Sequence, residues 1–206
     1  MNLEKELLFT IEALRNLNVK SICELGAGDC RWAIRMADEL CGEVDAVENF
    51  AWKNWDDPYY KNEYKNTSTV DDIKNICRDH NVNFIEQDVM DFTFNKHYDA
   101  VRIDCLDSED QLVKIINRAL YYTDVIIIDD ISPVQVLART SAMINFLHHN
   151  MLKLYLITQK VAILTKPDIE HPPFNKSITV NEKTFSPTFR QHNILKNGVV
   201  KNWEFV

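Results

Sequence analysis

Two of the chain's four glycines stand within one hexapeptide, Glu24-Leu25-Gly26-Ala27-Gly28-Asp29, at the end of the short apolar run Val19 to Leu25. Glycine is costly in rigid structure unless the backbone needs positive φ or something must approach it closely. After the hexapeptide, Trp32, Ile34, Met36, Ala37 and Leu40 recur at helical spacing up to Gly42. The segment therefore reads as strand, glycine turn and helix, the opening unit of a wound α/β sheet. A simple tight turn would also use glycine, so the hexapeptide alone leaves a binding turn and a structural turn both open.

The rest of the chain repeats the alternation. Leu7, Ile11, Leu14 and Leu17 predict an amphipathic helix over Leu3 to Leu17. Val44 to Glu48 and Phe84 to Gln87 read as the second and third strands, followed by Tyr98 to Asp104 and by Asp124 to Asp129, which is nearly pure isoleucine and valine. Continuous apolar strands of this kind are covered on both faces. Val70 to His80, Glu109 to Tyr121 and Val134 to His149 supply helices between and after them, the last opened by Pro133. Leu154 to Thr158 and Val161 to Thr165 are separated by only Gln159-Lys160. Two residues cannot make a parallel crossover, so this pair must be an antiparallel hairpin. Phe50 to Lys65 is an insertion rich in tryptophan and tyrosine, either a lid or surface packing. Beyond Pro167 regular structure is doubtful, apart from a candidate edge strand over Val199 to Phe205. The pattern is a doubly wound, mostly parallel sheet.

At 206 residues, 46% apolar and 26% charged, the chain suits one soluble domain. We divide it into a main domain over 1–166, including the N-terminal helix, and an extension over 167–206 packed on the same domain. Its 31 acidic and 23 basic side chains give a net charge of −8 without a dense basic block, which disfavours nucleic acid as a partner. No apolar run is long enough to span a bilayer, and the amino terminus has no signal-peptide core. The five cysteines form no Cys-x-x-Cys pair and read as reduced thiols of a cytoplasmic protein.

Ligands of such sheets bind beyond the carboxyl ends of the strands. Glu48 ends the second strand about 20 residues after Gly28, the spacing at which an acid reaches the hydroxyls of a bound ribose. Asp88 ends the third, where a carboxylate can accept from an exocyclic amine. Each acid alone could be a solvated strand terminus or a helix cap, but together with Glu24 they form one rim.

Ile22-Cys-Glu-Leu-Gly-Ala-Gly-Asp29, Val44 to Glu48 and Phe84 to Asp88 resemble the first three motifs of class I S-adenosylmethionine-dependent methyltransferases. The resemblance runs from about Val19 to Thr165 and includes the closing antiparallel hairpin. Nicotinamide-binding domains keep a parallel sixth strand and a third glycine near the position of Trp32. The resemblance implies a seven-stranded Rossmann-like sheet of order 3-2-1-4-5-7-6 with strand 7 antiparallel. It further implies that Gly26, Ala27 and Gly28 pass under the methionine moiety, that Glu48 with Asn49 holds the ribose, and that Asp88 with Val89 meets adenine. Glu24 supports the turn or faces the methionine amine, and Asp104 borders the same site. A cationic sulfonium tolerates this acidic rim, whereas a pyrophosphate would favour amide donors.

A second acidic group, Asp104 with Asp107 and Asp129 with Asp130, lies at the ends of the fourth and fifth strands. Val101-Arg-Ile-Asp104 and Ile126-Ile-Ile-Asp129-Asp130 are similar to the metal-dependent small-molecule O-methyltransferase branch. That implies Asp104, Asp129 and Asp130 as ligands of Mg²⁺, with Asp104, Asp107 or Asp130 as catalytic acids or bases. The chain departs from the branch in lacking a Lys or His base near Asp107 and a Gly-Gly before the fifth strand, where Tyr121-Tyr122-Thr123 stands. Structural roles as helix caps at Ser108 or Ser132 are the alternative. The expected activity is transfer of a methyl group to an oxygen, or less readily a nitrogen, of a small molecule. Aminopropyl transfer and a non-catalytic S-adenosylmethionine- or nucleoside-binding protein are the rivals. Self-association into a homo-oligomer stays open.

Overall fold

The computed structural model describes residues 3–40, 42–51, 69–105, 108–131, 137–158, 160–170, 178–180 and 183–185. Among these residues five helices, α1 (Leu3–Asn16), α2 (Arg31–Leu40), α3 (Val70–Asp79), α4 (Glu109–Ala119) and α5 (Leu137–His148), accompany strands β1 (Ser21–Leu25), β2 (Glu43–Glu48), β3 (Val82–Glu86), β4 (Ala100–Ile103), β5 (Val125–Ile128), β6 (Lys153–Ile157) and β7 (Ala162–Thr165). The sheet runs β3-β2-β1-β4-β5-β7-β6, and β7 is antiparallel to both of its neighbours. This is the expected order. A separate small hairpin, β8 (Ile178–Val180) with β9 (Lys183–Phe185), follows, and β8 lies against α1.

Side chains alternate across each strand, so the sheet divides two cores. Ile22, Val44, Ala46, Ala100, Val125 and Ile127 face one side and pack against α1, α2 and α3 through residues such as Ile11, Leu14, Met36 and Cys77. Cys23, Leu25, Val47, Val101, Ile103, Ile126 and Ile128 face the other, against Leu112, Ile115 and Ile116 of α4 and Met143 and Phe146 of α5. Burial on both faces explains why β5 reads as an unbroken apolar run.

Element ends shift where polar groups take over the backbone. The fourth strand starts at Ala100, not at Tyr98, because the Tyr98 amide donates to Tyr122 O at 2.8 Å while Asp99 Oδ2 accepts the amides of Lys20 (2.8 Å) and Ser21 (2.9 Å). For the same reason α4 stops at Ala119, short of Tyr121. Helix α3 begins at a reciprocal cap: Thr69 Oγ1 accepts from the Asp72 amide at 3.2 Å and Asp72 Oδ2 from the Thr69 amide at 2.8 Å. The aromatic insertion beyond Ala51 and the edge strand expected at Val199 to Phe205 lie outside the described residues.

Candidate functional site

The glycine turn leaves β1 between its two parallel neighbours, β2 and β4. The amides of Gly26 and Ala27 donate to Val47 O at 2.9 and 3.2 Å, which ties the turn to the end of β2. Gly26 has φ +82°, and a Cβ there would sit 2.5 Å from Cys105 Cβ and 2.8 Å from Asp104 O. The chain beyond β4 thus occupies the space that a side chain at 26 would need. Gly28, at φ +56°, turns its amide towards Glu48 Oε2 at 2.8 Å.

Glu48 is buried at 7% exposure and accepts two more amides through Oε1, those of Asn49 (2.9 Å) and Phe50 (2.8 Å). Burial raises its pKa, and the three amides oppose that shift. Next to it, Asn49 Nδ2 donates to Asp88 Oδ2 at 2.9 Å, and Asp88 Oδ1 accepts the Met90 amide at 2.8 Å. Glu48, Asn49 and Asp88 therefore make a continuous ridge of acceptors across the ends of β2 and β3, with Val89 half-buried behind it. Such a ridge suits hydroxyl and amine donors such as a ribose and an adenine present, while Gly26 and Gly28 leave the backbone bare beside it. Ala27 is buried and contributes packing.

Across the same sheet face a second polar group grows out of the strands themselves. Glu24 and Arg102 are register partners on β1 and β4, each in the middle of apolar neighbours and exposed by 0% and 2%. Two residues further along the face come Asp104, beyond Arg102, and Asp129, beyond Ile127 of β5. The Arg102 guanidinium bonds Glu24 Oε1 through Nη1, and Asp104 Oδ2 (2.9 Å) and Asp129 Oδ2 through Nη2. Trp32, at the start of α2, lays its ring 4.1 Å from the guanidinium carbon. Arg139 of α5 adds bonds from Nη1 to Asp104 Oδ1 (3.2 Å) and Asp129 O (3.1 Å). Asp130, at φ +51°, stands nearer the surface, 3.3 Å from Lys160 Nζ and 4.0 Å from Arg139.

The sheet thus brings Asp104, Asp129 and Asp130 near one another and sets Glu24, expected in the rim with Glu48 and Asp88, beside them, but it interleaves these acids with Arg102, Arg139 and Lys160. Among the described residues no group of three or more His, Cys, Asp or Glu side chains is arranged to hold a metal ion. Asp107 lies outside the described residues, as does Ser132, and Ser108 caps α4 without a side-chain bond. Arg102 was readable as a charge within an apolar strand; Arg139 and Trp32 carried no such signal.

One buried guanidinium shared among three carboxylates cannot hold them all ionised. Burial pushes Glu24 up to about 8 against the pull of Arg102, and Glu24 Oε2 has no hydrogen-bond partner among the described residues. Burial also raises Asp104 to about 6, although its side chain keeps 30% exposure, so the larger effect belongs to Glu24. A carboxyl whose folded pKa exceeds its unfolded value stabilises fully below the unfolded value, and that stability disappears as pH rises through the folded one. Thermal stability is therefore expected to fall between about pH 4.5 and pH 8 as Glu24 is forced to ionise. Melting curves across this window should be flatter for Glu24→Gln; equal slopes for both proteins would remove Glu24 as the titrating group.

No family model and no curated protein matches the chain. Solved structures do. An O-methyltransferase from Bacillus cereus in complex with SAH aligns over 81% of this chain and 82% of that one, with a TM-score of 0.52 and 12% identity. Magnesium protoporphyrin IX methyltransferase from Synechocystis PCC 6803, with bound SAM, aligns over 79% and 77%, with a TM-score of 0.53 and 14% identity. The N-methyltransferase NodS from Bradyrhizobium japonicum WM9 covers 80% and 96%, with a TM-score of 0.53 and 9% identity. At these identities the likeness concerns architecture: the chain has the Rossmann-like fold of these methyltransferases, closing hairpin included.

Proposed function

We propose that the protein is a cytoplasmic S-adenosylmethionine-dependent methyltransferase that modifies an oxygen of a small molecule, with a nitrogen acceptor as the second choice. The observation that carries this reading is the acceptor ridge Glu48–Asn49–Asp88 beside the bare turn Gly26–Gly28, at the strand ends of this particular sheet. The folds it resembles belong to O- and N-methyltransferases, two of them with SAM or SAH bound. Residues 1–166 form the catalytic domain in this reading and 167–206 an extension of it.

Bound S-adenosylmethionine would supply a methyl group already activated on sulfur. The chain's part is then mainly alignment of the acceptor, which alone can contribute several kcal/mol, on the order of 7–11 at best. Glu48 and Asp88 would receive the ribose hydroxyls and the adenine amine, Asn49 and Val89 would border them, and Gly26, Ala27 and Gly28 would lie under the amino-acid end. Asp104 combines partial exposure with a raised pKa and is the best-placed carboxylate to take the proton the acceptor releases.

Calorimetry with S-adenosylmethionine is expected to show binding in the micromolar range, roughly −7 to −8 kcal/mol. Asp88→Ala, at an exposed position that spares the core, should weaken it about tenfold, or about 1.4 kcal/mol. No heat at about 1 mM donor would reject the reading. Stronger binding of the decarboxylated sulfonium than of S-adenosylmethionine would favour aminopropyl transfer instead.

A further inference from the structure

The geometry points to Arg102 as a built-in cation that takes the place of a divalent metal ion at the ends of β4 and β5. The protein accordingly holds Asp104, Asp129 and Asp130 in working position without Mg²⁺. The assignment of Arg102 stands on its own contacts; only its bearing on catalysis rests on the methyltransferase reading.

A divalent ion needs oxygen ligands within about 2.0–2.6 Å and from several directions. Here the point between Asp104 and Asp129 is filled by Arg102 Nη2, which bonds one oxygen of each carboxylate. The other oxygen of Asp104 faces Arg139 Nη1 at 3.2 Å, and the other oxygen of Asp129 accepts the Asp130 amide at 2.7 Å. Asp130 Oδ1 is 3.3 Å from Lys160 Nζ. Among the described residues, Asp104, Asp129 and Asp130 thus each already face a cation or an amide.

Arg102 cannot step aside easily. Its stem runs within the sheet at 2% exposure, Trp32 covers the guanidinium from the α2 side, and its departure would leave Glu24, at 0% exposure, without a counter-charge. A guanidinium also differs from a metal in what it can do. It supplies fixed positive charge and hydrogen bonds but no vacant coordination position for an acceptor oxygen. With Arg102, Arg139 and Lys160 standing among these carboxylates, the site favours an acceptor that does not need to chelate an ion.

Mn²⁺ binding, followed by electron paramagnetic resonance in the absence of donor, tests this directly. The wild type is expected to show no site at sub-millimolar Mn²⁺. Arg102→Met should gain at least tenfold in affinity, and adding Asp129→Asn should cancel the gain. If Arg102→Met does not fold, Arg102→Met with Glu24→Leu, which removes the buried carboxylate together with its partner, serves in its stead. Wild-type Mn²⁺ binding that Asp129→Asn abolishes would overturn the inference, and so would a folded Arg102 variant that gains none. Because these titrations contain no donor, failure to bind S-adenosylmethionine would strike the function proposed above and leave this assignment untouched. Conversely, donor affinity that is the same in Mg²⁺ and in EDTA is the result expected if both readings hold.

Discussion

Gly26→Ala is expected to destabilise the protein by about 2–5 kcal/mol, with loss of donor binding only as a consequence. Two costs add. A left-handed backbone costs a residue with Cβ roughly 1–2 kcal/mol, and φ at Gly26 is +82°. The new Cβ would meet Cys105 Cβ at 2.5 Å and Asp104 O at 2.8 Å. These atoms belong to the backbone or are fixed to it, so relief requires β1 and β4 to part, at roughly 1–3 kcal/mol for forced overpacking. Gly28→Ala is the control. Its φ of +56° lies in the left-handed well, and its amide can keep its bond to Glu48, so the cost should be nearer 1 kcal/mol. Urea midpoints decide the matter: a Gly26→Ala protein of ordinary stability that no longer binds donor would make Gly26 a ligand-contacting glycine instead of a packing one.

That contrast marks where the sequence was legible. The strands, the helices between them and the closing hairpin followed from local signals: apolar runs bounded by acids, amphipathic periodicity, and the two residues Gln159-Lys160 that admit only a hairpin; the order of the strands followed from the resemblance to class I S-adenosylmethionine-dependent methyltransferases. The acceptor ridge was legible because acids that terminate strands end up at one edge of a parallel sheet whatever else the chain does. Gly26 shows the limit. Its need for hydrogen in place of a side chain arises from Cys105 and the Asp104 carbonyl, about 80 residues later, and no spacing rule connects them. The aspartates of β4 and β5 show the same limit. Their types fit a metal site, but ligation depends on what stands between them, and that is set by β4 register with β1 and by Trp32 and Arg139 arriving from two different helices. One clue was available. Glu24 and Arg102 are opposite charges at the centres of two apolar strands that the predicted sheet order makes neighbours, and a buried charge is tolerated only when paired.

Arg102→Met should therefore be among the most damaging single substitutions in the chain, costing about 3–5 kcal/mol above about pH 8, where Glu24 is ionised, because it strands buried carboxylate charge. Glu24 is the residue that suffers. It has 0% exposure, its Oε1 is held only by Arg102 among the hydrogen bonds described, and its Oε2 has no partner there. Without the guanidinium, Glu24 escapes the penalty only by keeping its proton, so the variant should recover part of its stability at acidic pH. The double variant with Glu24→Leu replaces the pair by apolar side chains of suitable bulk, and such exchanges are often close to neutral. It should regain most of the loss, a coupling of at least about 2 kcal/mol between two residues in direct contact. Asp104 and Asp129 would still face Arg139 by side chain and backbone carbonyl respectively, and their partial exposure lets water take up the rest. Urea denaturation of the two single variants and the double at about pH 9, where Glu24 is ionised, measures the cycle. Additive losses would mean that Glu24 and Arg102 are stabilised independently, by Trp32 and the outer aspartates, and that the cross-strand pair is not what secures this face of the sheet.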